Sequence, residues 1–266
     1  MSDEETMQPL QPVKCISFSD PKERIRNMKY AFKLNIPRLN EMVMVQSDEI
    51  AIVAGGPSLN HTYKDVSKFK IIMSCGSAHD HILSLGIKPT YHIDCDPAKA
   101  HVQNLKRDNP DCTYLIASRC NRNLFDRLKN KKMRLWHMWE SDLGRPAYKG
   151  EPAFICGATV VLAAIPVALA LGFKNFHFFG FDSSFEDDKH HHAYPQDEFA
   201  TMMTARVGDP KTGRDFRTTA TWIGQAQQFE EMRNNWGHLF NVNVYGDSMI
   251  AEMHKLRTKQ YKGVHK

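Results

Sequence analysis

The chain has 266 residues, 42% of them hydrophobic and 24% charged, with a formal net charge of +5. That length suffices for one substantial core, and the composition excludes a low-complexity or fibrous chain. The mild positive charge suits anionic ligands such as nucleotides or sugar phosphates, but is too small by itself to imply nucleic acid.

Residues 1–18 read as a polar, Pro-containing flexible arm. Its start, Met1-Ser2-Asp3-Glu4-Glu5-Thr6, is acidic and lacks the apolar stretch of a signal peptide. Residues 19–46 form an N-terminal helical segment. Ile25, Met28, Phe32 and Leu34 recur at near-helical spacing, and Asp20-Pro21 supplies an N-cap and a first-turn proline. Pro37 interrupts the pattern, so two short helices covering one edge of the main domain are expected.

Residues 47–256 alternate strand and helix. Strands are predicted at 49–54, 70–75, 90–94, 112–117, 133–138, 175–179 and 240–245. Helices are predicted near 61–68, 77–86, 98–107, 121–129, 157–172, 217–236 and 247–255. This alternation predicts an α/β, Rossmann-like domain: a mostly parallel, doubly wound sheet with helices on both faces. Residues 183–216 are charged and His-rich without core periodicity and read as a lid-like loop. Residues 257–266 are a basic tail.

The longest apolar run, Ala158 to Leu171, contains Pro166 and is too short to cross a bilayer, so a cytoplasmic protein without a membrane span is expected. Cys15, Cys75, Cys95, Cys112, Cys120 and Cys156 form no C-x-x-C pair and read as buried, reduced thiols.

In a doubly wound sheet, ligands bind beyond the carboxyl ends of the strands. Ile50-Ala51-Ile52-Val53 runs into Ala54-Gly55-Gly56-Pro57-Ser58, a turn whose small residues let backbone N–H groups approach a phosphate. It matches neither a P-loop nor G-x-G-x-x-G, and a plain strand-to-helix turn is the competing reading. The second strand ends in Cys75-Gly76-Ser77-Ala78, a similar turn. The third ends in Asp94-Cys95-Asp96-Pro97. Strand alternation puts Asp94 and Asp96 on one face, where they could hold a divalent metal such as Mg2+ or Mn2+; alternatively Asp96 caps the following helix. Gly157-Ala158-Thr159 opens the most apolar helix and offers a phosphate site or simply close packing.

After the sixth strand come Gly180-Phe181-Asp182-Ser183-Ser184-Phe185 and then His190-His191-His192-Ala193. Consecutive histidines point apart, so one neutral imidazole acting as general base or phosphate partner is preferred over a metal site. Trp222, Gln225, Phe229, Met232 and Trp236 form a core stripe on the next helix, and Thr218, Thr219 and Thr221 read as capping residues.

This ordered set, with Gly86-Ile87-Lys88-Pro89-Thr90 and Gly172-Phe173, resembles a family of motility-accessory-factor glycosyltransferases and archaeal 6-hydroxymethylpterin diphosphokinases, the MptE-like family. The match runs over about residues 45–255. It implies a core similar to that of bacterial sialyltransferases that use CMP-activated sugars. It also implies nucleotide contact by Gly55, Gly56, Pro57, Ser58, Gly76, Ser77, Asp96, Gly157, Ala158 and Thr159. By position, His192 falls where the glycosyltransferase branch keeps a histidine near the reacting centre; His191 and Asp182 are the further catalytic candidates. Phe181 stands where the motility factors usually carry a polar residue, and Ser183 where an aliphatic one is common.

Three readings follow. The first is a glycosyltransferase with a sugar nucleotide as donor, metal-dependent only if that donor is a diphosphate. The second is an ATP- and magnesium-dependent diphosphokinase acting on a small hydroxymethyl compound, with Asp94, Asp96 and Asp182 as ligands. The third is a non-catalytic nucleotide- or nucleic-acid-binding module using Lys129 to Lys132 and the basic C-terminus. The acceptor stays open among small molecule, protein and nucleic acid, and a homo-oligomer is compatible with the sequence.

Overall fold

The computed structural model describes residues 19–41, 48–187, 190–195 and 201–264. The predicted arm, parts of the histidine-rich stretch and the end of the basic tail lie outside these residues. In chain order the strands are β1 (Glu49–Val53), β2 (Ile72–Cys75), β3 (Tyr91–Asp94), β4 (Thr113–Ala117), β5 (Lys132–Trp136), β6 (Asn175–Phe179), β7 (Met203–Val207), β8 (Arg214–Thr218) and β9 (Asn241–Val244). The helices are α1 (Pro21–Ala31), α2 (Leu59–Val66), α3 (Ala78–Ser84), α4 (Arg122–Leu128), α5 (Val160–Ala170), α6 (Ala220–Trp236) and α7 (Met249–Val264).

Seven strands form one sheet in the order β5-β4-β3-β2-β1-β6-β9, and every neighbouring pair is parallel. The predicted Rossmann-like α/β fold is therefore what the chain adopts. Strand β1 explains why both faces need helices, because Ile50, Ala51, Ile52 and Val53 are all fully buried. Its side chains alternate between two core layers. Ile50 and Ile52 join the larger cluster with α5, while Ala51 and Val53 join Leu59, Val66 and Ile82 from α2 and α3. Helix α5 is apolar nearly all round, with Val161, Leu162, Ala163, Ala164, Ile165, Val167 and Ala168 buried, so it packs under the centre of the sheet.

From β1 the chain steps outward through β2 to β5, then returns to lay β6 on β1's other side. The order reverses between β1 and β6. At such a switch point the loops leaving two adjacent strands diverge and open a crevice at their carboxyl ends.

Three local expectations change. The predicted helix at 98–107 is a short 3-10 segment, Lys99–Asn104. The second N-terminal helix is one 3-10 turn, Leu39–Glu41; before it, the Pro37 carbonyl accepts from Leu135 N at 2.9 Å, laying the segment beside edge strand β5. The stretch expected to be a lid-like loop contains the antiparallel hairpin β7–β8, with Ala205 opposite Phe216. Charged residues on the hairpin's outer face hid its two-residue alternation.

Candidate functional site

The loops after β1 and β6 are locked together. Ser58 N donates to Asp182 Oδ2 at 2.7 Å, Ser58 Oγ donates to Asp182 Oδ1 at 2.6 Å, and Gly56 N donates to Gly180 O at 2.7 Å. This contact is why residue 56 is glycine. A Cβ there would lie 2.5 Å from Asp182 Oδ2 and 2.6 Å from Gly180 O. Burial pushes the Asp182 carboxyl up to about 6, opposed by its bonds from Ser58 and Ser248. Two of the loop's amides are thus spent inside the protein, a difference from the expected open phosphate cradle.

Above this clasp lies the described part of the histidine segment, residues 190–195. Ala193 N donates to Gly55 O at 2.9 Å, and a Cβ on Gly55 would meet Tyr194 Oη at 2.2 Å and His192 Cδ2 at 2.9 Å. The Tyr194 hydroxyl lies 2.6 Å from Ser77 Oγ, bridging to the turn after β2. The rings of His191 and His192 are 4.4 Å apart at 86°. His192 Nδ1 is buried without a hydrogen-bond partner, and burial, then the His191 neighbour, lowers its pKa to about 4.

Together these elements enclose a cleft of about 170 Å3, lined by Gly55, Gly56, Gly76, Ser77, Asp182, His191 and His192, with Val160 and Val161 from α5 and Trp222 and Gln225 from α6. Half of the predicted site residues line it, and Pro57, Ser58, Asp94, Asp96, Gly157, Ala158 and Thr159 do not. Gly157 is held by close packing, and the exposed Ala158 has its amide engaged. A Cβ on Gly157 would sit 2.4 Å from Leu162 Cδ1, and Ala158 N donates to Gln228 Oε1 at 2.9 Å. Thr159 flanks α5 with its Oγ1 buried and unpartnered. Sequence reasoning did not single out Tyr194 or His101, and it assigned Trp222 and Gln225 to the core stripe. The spacing of Tyr194 two residues after His192 was the available signal.

Asp94 and Asp96 do not assemble a metal site. Asp94 Oδ1 accepts from Asp96 N at 2.9 Å, and Asp96 Oδ1 accepts from Ala98 N at 2.7 Å. Asp96 Oδ2 lies 3.1 Å from His101 Nε2. Among the described residues no three His, Cys, Asp or Glu side chains form a possible ligand group. Both carboxylates are thus engaged locally and belong to no cluster of three such side chains among the described residues.

The fold and this crevice define a doubly wound α/β protein with a Rossmann-like core and an open switch point. The family model described as 6-hydroxymethylpterin diphosphokinase MptE-like matches residues 22–188, more than half of the sequence, and the chain belongs to that family. No curated protein matches it by sequence. Among solved structures it is similar to the MAf glycosyltransferase of Magnetospirillum magneticum AMB-1, at 15% identity and a TM-score of 0.63 over 93% of this chain. The chain spans 43% of that protein's length. A mammalian sialyltransferase matches at 11% identity and TM-score 0.48, over 89% of this chain and 90% of that one. The sialyltransferase CstII of Campylobacter jejuni matches at 14% identity and TM-score 0.41, over 78% and 84%. No described helix is long and apolar enough to cross a membrane.

Proposed function

We propose that this protein is a glycosyltransferase whose donor is a nucleotide-activated sugar, of the CMP-sugar kind. The observation that carries the reading is the switch-point cleft, where His192 and its unpartnered Nδ1 stand over the clasped Gly55–Ser58 and Asp182 loops. The shared fold of the MAf glycosyltransferase supports it. A donor with a single phosphate needs no bridging metal, which agrees with carboxylates already engaged by backbone and His101.

In this mechanism an acceptor hydroxyl attacks the anomeric carbon, its proton passes to His192, and the bond to the phosphate oxygen breaks with its electron pair leaving on the nucleotide. His192 is neutral in the free protein because burial penalises the imidazolium. A phosphate beside it stabilises the charged form and raises its basicity where proton transfer is needed. Asp182 positions the glycine loop. A cleft of about 170 Å3 is smaller than the roughly 300 Å3 at which ligand pockets begin, so the donor enters as Tyr194 leaves Ser77.

The family description favours a second reading, an ATP-dependent diphosphokinase. Thermal unfolding in CMP, UDP, GDP and ATP with magnesium separates the two. Protection by CMP, with release of sugar from a CMP-sugar, is expected. Protection by ATP alone would transfer the assignment to the kinase. His192→Ala should lower turnover about 100-fold or more while leaving nucleotide affinity within a few-fold; matched losses in both would make His192 a binding residue.

A further inference from the structure

A second concavity, of about 560 Å3, lies between α1, the segment starting at Lys99 and the beginning of α4. Arg26, Lys29, Lys33, Lys99 and Arg122 line it, against Glu23 as the one lining carboxylate. None of these five cations makes an ion pair among the described residues, although the chain pairs many of its other cations. Arg26, Lys29 and Lys33 follow one another along a single wall. Arg26 and Lys29 stand about 4.5 Å apart along α1 at helical rise, and Lys33 follows in the turn just past the helix end. A lone phosphate is held by donors converging on it, whereas a row of charges along a wall fits the repeating charges of a strand. Tyr30, with the Arg122 guanidinium 5.7 Å from its ring centroid, adds flat faces of the kind on which bases stack.

The groove also leads to the switch point. Asn27 Nδ2 donates to Pro97 O at 3.4 Å, and two residues further on begins the 3-10 segment that gives Lys99 to the groove and His101 to the cleft.

We infer that this groove binds a single-stranded nucleic acid, presented as the sugar acceptor at the neighbouring cleft. Only the word acceptor rests on the transferase reading. Binding is therefore measured without donor, and donor hydrolysis separately, so the two can fail independently. The probe is a fluorescently labelled oligonucleotide followed by anisotropy across a salt series. The triple variant Arg26→Ala, Lys29→Ala, Lys33→Ala should weaken binding at least about tenfold and reduce the salt slope by about 2. Its donor hydrolysis and melting temperature should match those of the parent. Lys129→Ala with Lys132→Ala, on the other basic patch, should change neither affinity nor slope by comparable amounts. No binding at low salt would overturn the inference, as would loss in the second variant but not the first. Equal competition by inorganic phosphate and chloride at matched ionic strength is expected. Selective competition by phosphate at micromolar levels would mark a site for a small phosphate compound and also overturn it.

Discussion

Gly56 shows how a single hydrogen atom positions the site. Its amide bonds to Gly180 O at 2.7 Å while the Asp182 carboxylate crosses its face, so any side chain would drive the β1 and β6 loops apart. Gly56→Ala should cost about 1–3 kcal/mol and abolish nucleotide protection, as read by urea denaturation and thermal shift. Gly224 is the control, because a Cβ there meets nothing within 4 Å inside α6. Gly224→Ala should stabilise the protein by up to about 1 kcal/mol. Loss of stability there would show that backbone effects other than contact dominate.

At the element scale, α1 is tied to the rim of the sheet by a buried ionic cluster. Arg24 and Arg119 each approach Glu140 Oε2 at 3.1 Å, with side chains 1%, 8% and 4% exposed. Burial raises the Glu140 carboxyl and the two guanidinium groups, Arg119 first, hold it down. Asn27 adds a bond to Arg119 O at 3.0 Å. Glu140→Ala removes the carboxylate shared by two buried cations, while Arg24 keeps its pair with the half-exposed Asp142. A loss of about 3 kcal/mol, the low end for a broken buried pair, is therefore expected in urea denaturation. A loss below about 1 kcal/mol would mean that water reaches the cluster.

Across the whole molecule, buried histidines couple folding to pH. Burial lowers His79 to about 4 and holds His92 well below its ordinary range, with Ser74 Oγ lying 2.9 Å from one Nδ1 and 3.2 Å from the other. The unfolded chain binds these protons at about 6.5. Their contribution is therefore complete above that pH and is lost as pH falls toward 4. Asp94 and Asp182 act in the opposite sense, because burial raises both carboxyls; they offset part of the loss. His92→Gln, which cannot take the proton, should lose less stability between pH 7 and pH 5 than the parent. An equal loss would remove His92 from the account.

The sequence by itself determined the sheet. Ile50–Val53 is apolar on both faces, and only a layer of helices on each side can bury it. The same pattern located the strand ends, and with them Gly55, Gly56 and Asp182, while His192 was marked by the family resemblance. Only the tertiary structure decided what those residues do to one another. The Asp182–Ser58 clasp joins residues 124 positions apart, and the Tyr194–Ser77 contact spans 117; neither leaves a trace in local periodicity. The basic groove, shared by α1, the segment at Lys99 and the start of α4, was hidden for the same reason. Spacing along a chain records which face a residue occupies, whereas the partner across that face is set by how the chain returns.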